Sequence, residues 1–425
     1  MAAKLICFLL TAVISAPRTL AQERSSTLSS GGTIRDAGAR KFPLGVYELP
    51  QNARDLKAIS EAGLNVVRCY GRSDLDRLAA AGLMGWVPVP MELGDDERLR
   101  KIVEEVKDHP ALAAWEGPDE IVWSFTAQSG LFRKGIYKTP DEWWLQTPLA
   151  VERADAEAQR ILPKLREGAS LVRRLDRGRH PVWINEAAQS DVKFIREYID
   201  AVDITGCDTY PIDSKKREAA EVGDTADRFK LIGRGKPVWM VLQAFSRTYE
   251  KIPVYPTFEE SRMMAYDVIA HGAEGIFYYT GYVMYQPPEP EAFRESLYAL
   301  TSELSTLQPF LIAAPAGTGK VRLIESNLRV TAGERGVPIA VRRNGADWLI
   351  ILVNEDKRPH MGVEVSGLHE LNGRRLYLLY GAESTLVRAG EFITRLRPLE
   401  VKVFATSRRW ETARRAGREY QQIAH

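Results

Sequence analysis

The chain is poor in cysteine, in net charge and in long apolar runs, and each shortage excludes a class of protein. Three cysteines among 425 residues cannot build a disulfide framework. Cys69 and Cys207 sit inside apolar, strand-like runs, and the sequence holds no Cys-x-x-Cys and no Cys/His metal spacing, so both read as reduced core residues. Lysine and arginine total 58 against 56 acids, a net charge of +2, which leaves no electrostatic footprint for nucleic acid. A Gly-rich phosphate loop is also missing. AAPAGTGKV imitates one, but Ala314 stands where the first glycine belongs and Val321 replaces the Ser or Thr. Strand-like sequence then comes where a helix is required.

The one strongly apolar run lies at the start. MAAKLICFLLTAVISAPRTLAQ carries one lysine, an apolar stretch from Leu5, a break at Pro17 and a small residue at Ala21. That order fits a secretory signal over 1–21, and hence a secreted or periplasmic protein. The run is too short to serve comfortably as a permanent membrane anchor, and no later segment is apolar enough to span. A buried N-terminal helix is the alternative reading. Cleavage removes Lys4 and Arg18 but no acid, bringing the formal charge to zero. Roughly four hundred residues remain, more than one core usually serves, so one large and one small domain are expected.

From Phe42 to about Thr301 the chain alternates short apolar runs with longer amphipathic ones. The short runs are FPLGVYEL (42–49), LNVVRCYG (64–71), MGWVPVPM (84–91), ALAAWEG (111–117), PVWINEA (181–187), DITGCDTY (203–210), PVWMVLQAF (237–245) and GIFYYTGY (275–282). Helical patterns such as DLKAISEAG, DERLRKIVEEVKDH, Val151 to Leu175 and EESRMMAYDVIAHGA lie between them. Strand then helix, eight times over, predicts a closed parallel (β/α)8 barrel. An open doubly wound sheet would show a Gly-rich turn after its first strand, and GVYELPQN is not one. Past Thr301 the helical rhythm stops. VRLIES, IAVRRNG, WLIILVNE, RRLYLLYG and LEVKVFAT read as strands of an antiparallel sandwich. The expected organisation is a signal (1–21), a linker (22–41), a barrel (42–308), an all-β domain (309–406) and a basic tail (407–425).

A barrel gathers its chemistry at the C-terminal ends of its strands. There the sequence places Glu48, Arg68, Tyr70, Glu92, Glu116, Asp119, Glu120, Glu186, Asp208, Tyr210, Gln243, Tyr278, Tyr279 and Tyr282. Acids, amides and phenols dominate, with no strand-end His or Cys nucleophile. Cleaving a glycosidic bond needs a protonated acid and a second carboxylate, so this inventory suits sugars better than esters, peptides or phosphates. The connection Ile121 to Pro148 is long and rich in rings (Trp123, Phe125, Phe132, Tyr137, Trp143, Trp144). It reads as a stacking platform for a glycan, with half of the rings assigned to packing the loop onto the barrel. No cofactor is implied, and oligomeric state is not readable.

HPALAAWEGPDE (109–120) delivers three acids after one buried strand. It resembles the fourth-strand motif of the clan of retaining barrel glycosidases that includes cellulases and β-galactosidases, where an apolar run and a Trp precede an Asn-Glu pair. The resemblance puts Glu120 on the acid/base Glu and Asp119 on the Asn. DITGCDTYP, GKPVWMVLQAF and HGAEGIFYYTGY are similar to segments of uncharacterised secreted bacterial barrel hydrolases. The clan ends its seventh strand in a nucleophilic Glu, whereas PVWMVLQAF offers Gln243, and an amide is a poor nucleophile. The second carboxylate then falls to Asp208 or Glu186, with Asp208 favoured because Tyr210 stands beside it. In a substrate-assisted mechanism Gln243 would instead position a sugar's acyl group.

Expected substrate contacts are Glu116, Asp119, Arg68, Tyr210, Gln243, Tyr279 and Trp123. The alternative roles are helix capping or an ion pair to Arg68 for Asp208, and helix capping for Glu186. A non-catalytic carbohydrate-binding barrel and a metal-dependent hydrolase are the rival functions. Separation of Glu120 from its partner acid distinguishes retention (~5–5.5 Å) from inversion (~6.5–9.5 Å).

Overall fold

The computed structural model describes residues 31–127, 132, 135–247, 253–281, 291–317, 319–324 and 336–413. The expected export signal, Tyr282 and the end of the basic tail lie outside the described residues. Among the described residues no helix is long and apolar enough to cross a membrane.

All eight apolar runs contain a strand. A two-stranded hairpin, β1 (Ile34–Asp36) and β2 (Ala39–Lys41), precedes β3 (Leu44–Val46), β4 (Val66–Arg68), β5 (Met84–Pro88) and β6 (Leu112–Glu116). Next come β7 (Val182–Ala187), β8 (Ile204–Thr209), β9 (Val238–Gln243) and β10 (Gly275–Tyr279). Strands β3 to β10 pair in parallel and close as β10-β3-β4-β5-β6-β7-β8-β9. They read as near-continuous apolar runs because helices cover one face and the barrel interior fills the other. The helices start where side chains can satisfy free backbone N–H groups. Asn52 accepts from Asp55 N, Asp96 accepts from Arg98 N, and Thr257 forms a capping box with Glu260.

Rings fill the barrel. Trp86, Trp183, Trp239 and Phe277 are almost wholly buried, with Trp183 stacked on Phe277 at 5.1 Å and Trp86 edge-on to it at 4.9 Å. Gly45 makes room for them, since a Cβ there would lie 2.3 Å from Phe277 Cδ1. The hairpin plugs the end opposite the mouth. Ile34 joins this inner cluster, and Trp239 Nε1 donates to the Gly32 carbonyl at 2.7 Å. Residues 34–41, expected as linker, are therefore part of the folded unit, because Ile34 covers apolar surface that the strand N-termini would leave open.

Beyond the barrel two antiparallel sheets face each other. One has the order β11-β14-β17 and comprises β11 (Lys320–Leu323), β14 (His360–Ser366) and β17 (Phe392–Leu396). The other has the order β12-β13-β18-β15-β16 and comprises β12 (Ile339–Asn344), β13 (Asp347–Val353), β15 (Arg375–Leu378), β16 (Ser384–Leu386) and β18 (Val401–Ala405). Alternation splits β13 between two cores. Ile350 and Leu352 face the sandwich interior, while Leu349, Ile351 and Val353 join the core shared with the barrel helices. A strand buried on both sides has no solvent face, which explains the unbroken run WLIILV.

Candidate active site

The strand ends converge on a chain of carboxylates linked by an arginine and an amide. Glu116, at the end of β6, is completely buried. Arg68 from β4 forms an ion pair with it, Nε to Oε2 2.7 Å. Tyr47 OH donates to Oε1 at 3.3 Å and Trp86 Nε1 to Oε2 at 3.2 Å. Burial nevertheless holds the carboxyl up at about 8, against the pull of the Arg68 charge. The guanidinium lies over the Tyr47 ring at 5.1 Å and reaches Asp119 Oδ2 at 3.8 Å. Asp119 itself is exposed at the mouth.

Glu120 comes next, in the left-handed region, φ 48 and ψ 43. Its N–H donates to the Asn185 carbonyl at 2.9 Å, which holds a conformation that a non-glycine residue rarely adopts. The twist turns the side chain toward β8, where it shares a hydrogen bond with Asp208. Asp208 is 6 % exposed and Glu120 half-buried. Burial, then the Glu120 charge, push the Asp208 carboxyl far above the usual range. Burial likewise raises Glu120, while the bond from Asp208 draws it partly back. Two carboxyl groups so placed cannot both ionise cheaply, which raises the proton affinity of the pair.

Asn185, on β7, is a site residue that sequence reasoning missed, and it sits at the centre. Its Nδ2 donates to Asp208 Oδ2 at 2.9 Å and to Asp119 Oδ1 at 3.0 Å. Its Oδ1 has no partner among the described residues. The available signal was parity: Trp183 and Asn185 are two residues apart on one strand and therefore share the inward face. Tyr210 OH donates to Asp208 Oδ2 at 3.4 Å, and its ring packs with Phe245 and Tyr279 at 5.0 and 5.9 Å. Tyr279 borders the mouth, whereas Tyr278 points away into the core.

Two expected site residues are committed elsewhere. Glu186 is 1 % exposed and accepts from Val122 N at 3.1 Å, Ser190 Oγ at 2.8 Å and Tyr198 OH at 2.9 Å, with the Trp123 N–H adding to them. Burial puts its carboxyl at about 7. It caps the short helix Ile121–Phe125 from behind, because it alternates with the inward Asn185. Gln243 is also 1 % exposed. Its Nε2 donates to the carbonyls of Ile212 and Phe245 at 2.8 and 3.1 Å, and its Oε1 accepts from Ile212 N at 3.0 Å. The segment after β8 folds over it, so no part of the amide is left to hold a substrate. Glu48 is consumed in the same way, accepting from Thr280 and Gly281 across the closure of the barrel.

Of the rings in the β6 loop, Phe125, Tyr137 and Trp143 are buried. Trp144 is 50 % exposed and Phe132 42 %. Trp123 is half-buried and packs on Trp144 at 5.6 Å. Among the described residues the one His/Cys/Asp/Glu group with metal-ligand spacing is Asp267, His271 and Glu355, away from this mouth.

The family model described as Beta-galactosidase (Glyco_hydro_42) matches residues 165–293, the stretch that carries β7 to β10. No curated protein matches the chain. A beta-galactosidase from the psychrophilic Marinomonas ef1 is 15% identical, covering 62% of this chain and 60% of that one, TM-score 0.46. The chain thus spans about 60% of the length of that relative. A beta-galactosidase from Rahnella sp. R3 is 10% identical over 85% of this chain and 98% of that one, TM-score 0.50. A glycoside hydrolase family 5 protein from Bacteroides vulgatus is 15% identical over 88% and 93%, TM-score 0.50. The closed parallel barrel makes this chain a (β/α)8 barrel, and its β7-to-β10 stretch is similar to the family model described as Beta-galactosidase.

Proposed function

We propose that the chain is a secreted glycosidase that cleaves O-glycosidic bonds of a poly- or oligosaccharide, with Glu120 delivering the proton to the leaving oxygen. The observation that carries this reading is the Glu120–Asp208 pair at the C-terminal mouth of a barrel, where burial and mutual charge raise the proton affinity of both carboxyls. Glu120 is the more accessible member, so it faces the substrate and delivers the proton the pair holds, and the water that attacks the sugar returns one to it. Asp119, exposed and fed by Asn185 and Arg68, is the carboxylate left for the sugar's other side. Trp144 and Trp123, packed on each other in the loop after β6, supply apolar ring faces. Export rests on the signal-like order of residues 1–21.

The matched family's name makes β-galactosides the first substrates to assay, ahead of a panel of other glycosides and polysaccharides. Glu120→Gln should lower turnover by roughly 10²–10⁴-fold while leaving glycan binding in place. Unchanged turnover overturns the assignment. A second reading, a carbohydrate-binding barrel without turnover, draws support from Gln243 being locked to the backbone of Ile212 and Phe245. It predicts that the unmutated chain binds glycans and releases no product from any of them.

A further inference from the structure

A second polar cluster lies at the end of the barrel opposite the mouth, where the helix Phe258–Ala270 meets the loop after β13. Asp267 and His271 are one helical turn apart and so project to the same side, and Glu355 approaches from the sandwich. The ligand atoms of the three all lie within 4.8 Å of one another. His271 Nε2 is 3.0 Å from Glu355 Oε1 and 3.8 Å from Asp267 Oδ1. Its Nδ1 is 2.9 Å from Asp227 Oδ2 on the helix Glu221–Ile232. Asp267 is fully buried and Glu355 is 8 % exposed. Gly336 N donates to the other Glu355 oxygen at 2.9 Å, and Lys230 neutralises only the outer Asp227.

Gly223 lets the helix Glu221–Ile232 pass close to this cluster. A Cβ there would lie 2.5 Å from Asp267 Oδ2 and 2.8 Å from His271 Nε2. Glycine inside a helix costs about 0.5–1 kcal/mol against alanine, and nothing in the geometry of that helix requires it, since no positive φ occurs at this position. The residue is explained by the close approach of the helix backbone to the carboxylate and the imidazole.

We propose that Asp267, His271 and Glu355 bind a divalent transition-metal ion of the zinc(II) class, which staples the sandwich to the barrel. Four-coordinate zinc with bonds of about 2.0–2.1 Å places its donors roughly 3.4 Å apart, and the observed 3.0 and 3.8 Å straddle that value. Nε2 and one oxygen from each carboxylate fill three positions and water the fourth. Asp227 on Nδ1 fixes the ring and raises its basicity, the usual arrangement behind a metal-bound histidine. A set with one imidazole suits zinc better than calcium or magnesium, which take six or more oxygens.

The test is calorimetric titration of the chelator-stripped full chain with zinc chloride, with metal content by mass spectrometry and melting temperature on the same samples. One zinc per chain with a raised Tm is expected. Binding should weaken at least tenfold in His271→Gln and in Glu355→Gln, and also in Gly223→Ala, whose methyl presses on Asp267 and His271 without removing a donor. Circular dichroism identifies any variant that fails to fold, and the remaining two then carry the comparison. No stoichiometric binding by the unmutated chain overturns the proposal. So does stoichiometric zinc whose affinity is the same in every folded variant.

Discussion

Replacing Gln243 by Glu would give the seventh strand the carboxylate that the resembled clan carries there, and the structure predicts a loss rather than a gain. The Gln243 amide accepts one backbone bond and donates two, those with Ile212 buried and that to the Phe245 carbonyl part-buried. A carboxylate keeps the acceptor for Ile212 N but turns oxygen toward the Ile212 and Phe245 carbonyls. A stranded buried carbonyl costs about 1–3 kcal/mol and the part-buried one at Phe245 less, so the change costs about 2–4 kcal/mol at neutral pH. Protonation restores one donor and brings the cost to about 1–3 kcal/mol. The introduced acid therefore has a folded pKa raised above its unfolded value near 4.3. Its penalty is small below that value and grows as pH rises toward the folded pKa. Urea unfolding of both chains at pH 4.5 and pH 8 measures this, and a glycosidase assay on the same samples should register no new activity. A Gln243→Glu chain as stable as the original at pH 8, or one that gains turnover, refutes the clamp.

Arg68→Met removes the guanidinium beside Glu116, whose carboxyl burial already holds near 8; stability at pH 9 should fall by about 3–5 kcal/mol. The loss should be smaller at pH 6, where the folded chain keeps that carboxyl protonated, and equal losses in urea unfolding at the two pH values count against the ion pair. Trp143→Ala should cost about 3–5 kcal/mol as a buried ring, whereas Trp144→Ala should leave Tm nearly unchanged and weaken glycan binding; the reverse order in thermal melts rejects the platform. Asn185→Leu withdraws the amide that draws the Asp208 carboxyl down, so the pH–rate profile of any hydrolysis should move to higher pH, and an unmoved profile contradicts the assignment.

The barrel strands and β13 were legible in the sequence because their burial is two-sided. β3 to β10 and β13 show as apolar runs because both faces are covered. β14 and β17 were missed for the opposite reason: HMGVEVS and FITRL alternate in and out, leaving Met361 and Ile393 exposed. Strand-end acids were legible as a set, since a barrel collects them at one mouth whatever their exact orientation. Their individual roles were not. Glu48 and Gln243 are taken up by backbone groups that come from distant segments, Thr280 in one case and Ile212 in the other. Nothing local in the sequence announces such partners.

Glu186 and Asn185 show how the site is held, and why a one-residue difference decides between chemistry and support. Neighbours on a strand point to opposite faces. Asn185 turns inward, where its amide joins Asp119 to Asp208 and its carbonyl takes the N–H of Glu120. Glu186 turns outward, where its carboxyl takes the N–H groups of Val122 and Trp123, the two residues after the Ile121 that adjoins Glu120. The left-handed turn at Glu120 is thus gripped by one dipeptide from both sides. A strained conformation of order 1–3 kcal/mol persists only when the surroundings over-determine it, and here it directs Glu120 toward Asp208 instead of solvent. The strain, the amide bridge and the outward cap serve one result, a carboxyl pair close enough to share a proton.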